Sequence, residues 1–251
     1  MTNKDIINNE ITKNSAKTPG VGETGGVAPV LTIDGPSGSG KGTVAQRVAS
    51  HLGWHLLDSG AIYRVLAYRA LRDGVALDDV AGLCASAVEM TLSFDSHGML
   101  PVPVCLDGEW VTSALRTESV AKAASQVAAL APVREKLLDR QRDFCQFPGL
   151  VADGRDMGTV VFPTARAKVY LTASVQARVD RRVQQLWEKQ LPADPEDIRT
   201  QIEARDAQDM NRATAPLKPA DDAVMIDSTT LSIDEVFQRV MAVVQPLLTS
   251  T

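Results

Sequence analysis

The stretch Asp34-Gly35-Pro36-Ser37-Gly38-Ser39-Gly40-Lys41-Gly42-Thr43 has the residue types of a phosphate cradle. Gly35, Gly38 and Gly40 lack a Cβ, so the backbone is free to take positive φ and to turn successive N–H groups into one anion-binding hollow. Lys41 adds a full positive charge, and Thr43 adds a hydroxyl suited to a magnesium shell. Val44, Val48 and Leu52, flanked by Ala45 and Ala49, recur at helical spacing, which predicts a helix beginning at the loop. Its N-terminus would offer partial positive charge and free N–H groups to the same phosphates.

Two further polar clusters follow short apolar runs. Asp58-Ser59-Gly60-Ala61-Ile62-Tyr63-Arg64 closes the run Trp54-His55-Leu56-Leu57, and Gly154-Arg155-Asp156-Met157-Gly158-Thr159 follows Leu150-Val151-Ala152-Asp153. In open α/β sheets ligands sit in the crevice outside the carboxyl ends of the strands, which makes Ser59, Tyr63 and Arg64 site candidates. Capping of a helix by Asp58 or Ser59 is the structural alternative. Asp153 has the position of a carboxylate that helps to hold Mg2+. The charged segment 193–217 carries Arg199, Arg205, Asp206, Asp209 and Arg212. Taken alone it reads as a solvated helix face; beside a phosphate loop its arginines suit a lid.

The elements that must position these residues are legible around them. Gly35-x-x-x-x-Gly40-Lys41 after the run Val30-Leu31-Thr32-Ile33 fits the P-loop, except that Gly42 takes the usual Ser/Thr place and Thr43 follows it. Lys168-Val169-Tyr170-Leu171 and Ala223-Val224-Met225-Ile226-Asp227 are further strands. Val175 to Lys189 reads as a helix, and Ser232-Ile233-Asp234-Glu235 is a capping box opening a terminal one. Between Val88 and Thr112 the pattern changes to short runs separated by Ser96-His97-Gly98 and Asp107-Gly108, an antiparallel hairpin signal. Thr117 to Arg142 reads as helix, broken near Pro132. The fold class is α/β: a P-loop NTPase fold with a central parallel sheet, an antiparallel three-stranded insert and a helical lid. That architecture points to phosphoryl transfer, which needs Mg2+, in-line positioning and fixed positive charge more than covalent participation.

Composition sets bounds on this reading. The 251 residues are 44% hydrophobic, enough for a real core, and the net charge of −5 opposes a general nucleic-acid surface, which needs a basic face. Cys84, Cys105 and Cys145 are widely spaced without a CxxC, so neither a disulfide framework nor a zinc site is expected, and a reducing cytoplasm fits. No run reaches the roughly 18 apolar residues of a membrane span, and the N-terminus has no apolar signal region. Residues 1–27 are too polar to offset ordering entropy and are expected to form a disordered tail. His51, His55 and His97 share no ligand spacing, and Trp54, Trp110 and Trp187 are expected as core or partly buried anchors.

From residue 28 onward the chain resembles the bacterial cytidylate kinases. The likeness lies in Gly35 to Thr43, in Leu57-Asp58-Ser59-Gly60-Ala61-Ile62-Tyr63-Arg64, in Asp153 through Pro163, in Arg205-Asp206 through Asn211-Arg212, in Ala215-Pro216-Leu217 and in Asp227-Ser228. The resemblance implies ATP as phosphoryl donor, Mg2+, and CMP or dCMP as acceptor. It implies a monomeric cytoplasmic enzyme of pyrimidine nucleotide metabolism, with no nucleic-acid or membrane partner. One domain would cover 28–251, with a core of 28–60, 150–190 and 217–251, a monophosphate-binding insert of 61–149 and a lid of 191–216.

Carried onto this sequence, the resemblance has Gly35, Pro36, Ser37, Gly38, Ser39, Gly40, Lys41, Gly42 and Thr43 hold the ATP phosphates, and Thr43 with Asp153 hold the metal. Lys41, Arg155, Arg205 and Arg212 would be catalytic, with Arg64 also set around the acceptor and transferred phosphates. Ser59 and Tyr63 would line the monophosphate site, Ser125, Arg134 and Asp156 would read cytosine, and Arg205 with Asp209 would meet the ribose. Gln208 and Met210 depart from related lids, which often carry further arginines there. A small-metabolite kinase of shikimate or gluconate type shares the P-loop core but would lack the antiparallel insert and the Gly154-to-Gly158 cluster. A nucleotide-binding regulatory switch is the other alternative, and no Asn-Lys-x-Asp guanine-reading motif is present.

Overall fold

Five apolar stretches form parallel strands: β1 (Val30–Asp34), β2 (His55–Asp58), β6 (Leu150–Gly154), β7 (Ala167–Thr172) and β8 (Val224–Asp227), in the order β2-β6-β1-β7-β8. The computed structural model describes residues 27–94 and 103–249. The expected disordered tail, except Val27, lies outside the described residues, as do His97 and part of the apolar run from Met99 to Leu106. β1 is central and buried at every position, as a parallel strand covered on both faces must be. It runs in register with β6 from Val30 opposite Leu150 to Asp34 opposite Gly154, and with β7 from Leu31 opposite Ala167 to Asp34 opposite Tyr170. The carboxyl ends of the strands are therefore level, and Asp58 stands directly opposite Asp153.

Side chains alternate across the sheet. Leu31, Ile33 and Val151 face α1 (Lys41–Leu52) and α8 (Ile233–Leu248), where Val44, Val48, Val236 and Val240 complete one core. Val30, Leu150 and Ala152 belong to the core on the other face, built with α2 (Ser59–Asp73), α4 (Glu118–Val127) and α5 (Ala131–Arg142) through Ile62, Leu66, Val127, Val133 and Leu137. The expected helix from Thr117 to Arg142 is two helices, with Pro132 in the first turn of the second, where its missing N–H costs nothing. The capping box closes as the spacing predicts. Ser232 Oγ accepts the Glu235 N–H at 3.2 Å, and the Glu235 carboxylate accepts the Ser232 N–H at 2.8 Å.

The insert follows α3 (Val80–Glu89) and is the expected antiparallel sheet of β3 (Leu92–Phe94), β4 (Val104–Leu106) and β5 (Glu109–Trp110). Asp107 and Gly108 turn between β4 and β5 with φ of 51° and 87°, the two positive values that a tight hairpin of matching twist requires. Val104, Leu106 and Val111 join the same core as Ile62 and Leu66. A separate small core ties Val179 and Val183 of α6 (Val175–Glu188) to Ile198 of α7 (Pro195–Met210).

Of the three tryptophans expected as core or partly buried anchors, Trp54 fits and Trp110 and Trp187 do not. Trp54 is half-buried and packs so closely over Gly149 that a Cβ there would lie 2.4 Å from its ring. Trp110 and Trp187 are 62% and 65% exposed. Trp110 sits on a two-residue edge strand, and Trp187 falls one position beyond the apolar stripe Val175, Val179, Val183 and Leu186. The three cysteines are unpaired, and no described helix is long and apolar enough to cross a membrane.

Candidate active site

The phosphate loop leaves β1 at Asp34 and enters α1 at Lys41. Gly35 has φ of 152°, and a Cβ there would lie 2.0 Å from the Leu171 carbonyl oxygen, so the loop passes β7 at a distance only glycine permits. Gly40, with φ of 92°, is the N-cap of α1, and no side chain caps that helix. Its first-turn N–H groups are thus left to bind an anion. Lys41 is buried, and its Nζ donates to the Pro36 carbonyl at 3.1 Å, folding the side chain back over the loop. Burial and the nearby Arg155 pull the Lys41 ammonium down to a pKa of about 8, against the attraction of Asp153.

Burial pushes the Asp153 carboxyl up to about 7 against that same lysine, and its Oδ1 has no hydrogen-bond partner. A Cβ on Gly42 would come within 3.1 Å of Asp153 Oδ2. The Lys-Gly-Thr form of the loop therefore has a physical reason: a side chain at position 42 would crowd this carboxylate. Thr43 and Asp58 line the same cavity as Asp153. Mg2+ in nucleotide sites takes one or two carboxylates and completes its shell with phosphates and waters. No group of three or more His, Cys, Asp or Glu able to hold a metal is gathered among the described residues. Thr43 and the orphaned Asp153 oxygen thus fit a magnesium ion that arrives with a nucleotide.

The cavity in front of the loop is about 1120 Å3, above the roughly 1,000 Å3 upper range of a single small-molecule site. Arg64 and Arg205 line it together with Ser125 and Gln208. Arg64 donates from Nη1 to the Leu115 carbonyl at 2.9 Å, and burial lowers its pKa. Burial and the adjacent Arg155 bring Arg205 down to about 10, and its Nε has no partner. Arg155 donates from Nε to Asp209 at 2.8 Å, and Arg212 donates from Nε to the Asp209 carbonyl at 3.3 Å while its Nη2 has no partner. Burial opposes the Asp209 charge, but these arginines outweigh it and hold its pKa below the usual carboxylate range. Several crowded guanidiniums around one such carboxylate make a site that lacks negative charge, which a phosphate would supply.

Arg134 and Asp156 form a buried ion pair, and the Arg134 guanidinium also donates to the Ala128 carbonyl at 3.1 Å and lies 5.5 Å from the Tyr63 ring centroid. Ser125 donates its hydroxyl to Ala121 within α4, and its carbonyl accepts from Gln208 Nε2 at 3.2 Å, linking α4 to α7. Ser59 and Tyr63 are buried and do not line the cavity wall. Ser59 Oγ donates to Gln141 at 2.7 Å, the Tyr63 hydroxyl has no partner, and burial pushes that phenol up to about 12. Asp58 is the N-cap of α2, its Oδ1 accepting the Ala61 N–H at 2.9 Å.

Three features of this site lie beyond the reading of the sequence. Asp34 accepts the N–H groups of Met157 and Gly158, anchoring the π-helical turn Met157–Val161 that follows Asp156. Its place directly before the loop is the one signal the sequence offers for it. Gln141 holds Ser59, and Arg178 with Arg181 hold the loop carbonyls from α6. Nothing local in the sequence marks these as site residues.

The cytidylate kinase family model matches residues 31–246. The cytidylate kinase of Shewanella amazonensis is 52% identical over 225 residues, covering 89% of this chain and 97% of that protein. Those of Aeromonas hydrophila and Aeromonas salmonicida are 55% and 54% identical over 216 residues, each match covering 86% of this chain and 94% of the relative. The phosphate loop, Asp153 and Arg205 of α7 line one cavity, and with the family model and these relatives matching most of its length the chain belongs to the cytidylate kinase family.

Proposed function

We propose that the protein transfers the γ-phosphoryl group of ATP to CMP and dCMP, giving ADP and CDP or dCDP. The observation that carries this reading is one cavity lined both by Ser37, Gly38, Gly42 and Thr43 of the phosphate loop and α1 and by Ser125, Arg64 and Arg205. An oxygen of the CMP phosphate attacks the γ-phosphorus while the bond to the β,γ-bridging oxygen breaks, and that oxygen leaves with ADP. The attacking phosphate is already ionised, so the protein's task is positioning and charge. Lys41 and the loop N–H groups hold the β- and γ-phosphates. Arg155, Arg205 and Arg212 neutralise the charge that spreads over the equatorial oxygens, and Arg64 holds the acceptor phosphate. Magnesium on Thr43 and Asp153 would supply further charge neutralisation at the phosphates.

Cytosine presents an N4 amino donor beside its N3 and O2 acceptors. Asp156 suits the donor, and Arg134 with Ser125 suits the acceptors. Asp209 and Arg205 serve the ribose, with Tyr63 and Ser59 supporting the monophosphate site from behind through Gln141 and Arg134. Segment 191–216, containing α7, acts as the lid that excludes water, and 61–149 as the monophosphate-binding insert on a core of 28–60, 150–190 and 217–251. The reading includes action as a monomer. The unpaired cysteines support a reducing cytoplasm. ADP formation from ATP across CMP, dCMP, UMP, AMP, GMP, shikimate and gluconate tests the reading; turnover that favours shikimate or gluconate, or that ignores the acceptor, overturns it.

A further inference from the structure

One buried ion pair outside the residues assigned above joins the phosphate loop to α7. Arg178, on α6 and 3% exposed, donates from Nη1 to the Ser37 carbonyl at 3.1 Å. The same guanidinium meets Asp206 through both nitrogens, Nη1 to Oδ1 at 3.0 Å and Nη2 to Oδ2 at 2.6 Å. Its stem lies against the loop, for a Cβ on Gly38 would sit 3.3 Å from Arg178 Cβ. Asp206 adjoins Arg205 and precedes Asp209, the partner of Arg155, by less than one turn. A single planar group thus touches both the loop that cradles phosphate and the helix that presents Arg205. Buried bidentate pairs add little stability over apolar side chains of equal volume, but they fix geometry, because neither partner can move without leaving a buried charge alone.

We infer that Arg178 and Asp206 are positioning residues that tie the placement of α7, and with it Arg205, to the conformation of the phosphate loop. Nucleotide on the loop then favours the arrangement of Arg205 that receives the acceptor, and acceptor in turn tightens nucleotide, since such coupling is reciprocal. The inference rests on the phosphoryl-transfer reading above. Arg181, on the same helix, provides the contrast. It donates to the Ser39 carbonyl at 3.3 Å and to the Ser228 carbonyl at 2.5 Å, so it holds the loop to the end of β8, not to α7.

The test measures binding of magnesium AMP-PNP by calorimetry, with and without saturating CMP, beside kcat, the KM for CMP and the melting temperature. Asp206→Asn keeps the volume and the Arg178–Ser37 bond but removes the charge that holds α7. In the wild type CMP is expected to tighten AMP-PNP by on the order of fivefold or more. In Asp206→Asn that factor falls toward one and kcat drops, while AMP-PNP affinity without CMP stays near that of the wild type. Arg181→Lys weakens AMP-PNP alone and keeps the factor. If the single variant does not fold, the pair Arg178→Met with Asp206→Leu, which leaves no buried charge unpaired, carries the same expected loss of coupling. No tightening in an active wild type, or wild-type coupling and kcat in these variants with only a lower melting temperature, overturns the inference alone. A wild type that makes no ADP with CMP overturns the phosphoryl-transfer reading and this inference together.

Discussion

The Asp34 carboxylate accepts the backbone N–H of Gly158 at 2.8 Å, and that of Met157 at the same distance. This contact binds the end of β1, where the phosphate loop begins, to the turn that directly follows Arg155 and Asp156. Asp34→Ala leaves both buried N–H groups without an acceptor, at a cost of about 1–3 kcal/mol for each. Urea unfolding is expected to show that loss, with turnover falling as well because the turn is no longer held.

The same residue gives the stability a pH signature. Burial pushes Asp34 up to about 6 from an ordinary 3.8, so the folded protein holds this proton more tightly than the unfolded chain does. Stability from Asp34 is therefore fullest below about pH 3.8 and is lost as pH rises through 6, a change of about 3 kcal/mol at 1.36 kcal/mol per unit. The stability difference between wild type and Asp34→Ala should shrink between about pH 4 and 7. A difference that grows over this window would contradict the buried placement.

Lys41→Ala is expected to leave the melting temperature nearly unchanged and to lower kcat by about 10²–10³, the usual effect of removing one preorganised donor. Since Lys41 loses its proton near pH 8, kcat/KM for ATP should fall above that pH, the charged form being present below it. Lys41→Arg should carry that limb to higher pH. A wild-type profile flat to pH 9.5 or so would show that Lys41 keeps its proton in the free enzyme.

Arg205→Ala and Arg212→Ala should each lower kcat strongly, because both guanidiniums retain a nitrogen without a partner and have charge left to give a transferring phosphoryl group. A rise confined to the KM for CMP would make them binding residues only.

Features that depend on near neighbours are legible in the sequence alone. The run before the loop, the Asp107-Gly108 turn and the Ser232–Glu235 box each close within a few residues, and together they specify the parallel sheet and its insert. Arg178 reads only as a helical arginine, because its partners Ser37 and Asp206 lie 141 and 28 residues away. The bond from Ser59 to Gln141 spans 82 residues and has no local pattern to announce it. Trp110 and Trp187 escape the expectation of burial because size alone does not decide it; strand edge and helix phase set which way a large side chain faces.

The central claim is that this cleft phosphorylates CMP by reading its base, and the ratio of kcat/KM for CMP to that for UMP, in wild type and in Asp156→Asn, tests it most directly. In the proposed reading the carboxylate would accept from cytosine N4 but would meet uracil O4 as acceptor against acceptor, worth about 1–3 kcal/mol per lost contact. Asparagine keeps an acceptor for Arg134 and gains an N–H₂ that can face O4. The account predicts a wild-type ratio well above one that collapses in Asp156→Asn, with CMP efficiency falling and UMP efficiency held or raised. A wild-type ratio near one, or an equal fall for both nucleotides in the variant, would contradict it.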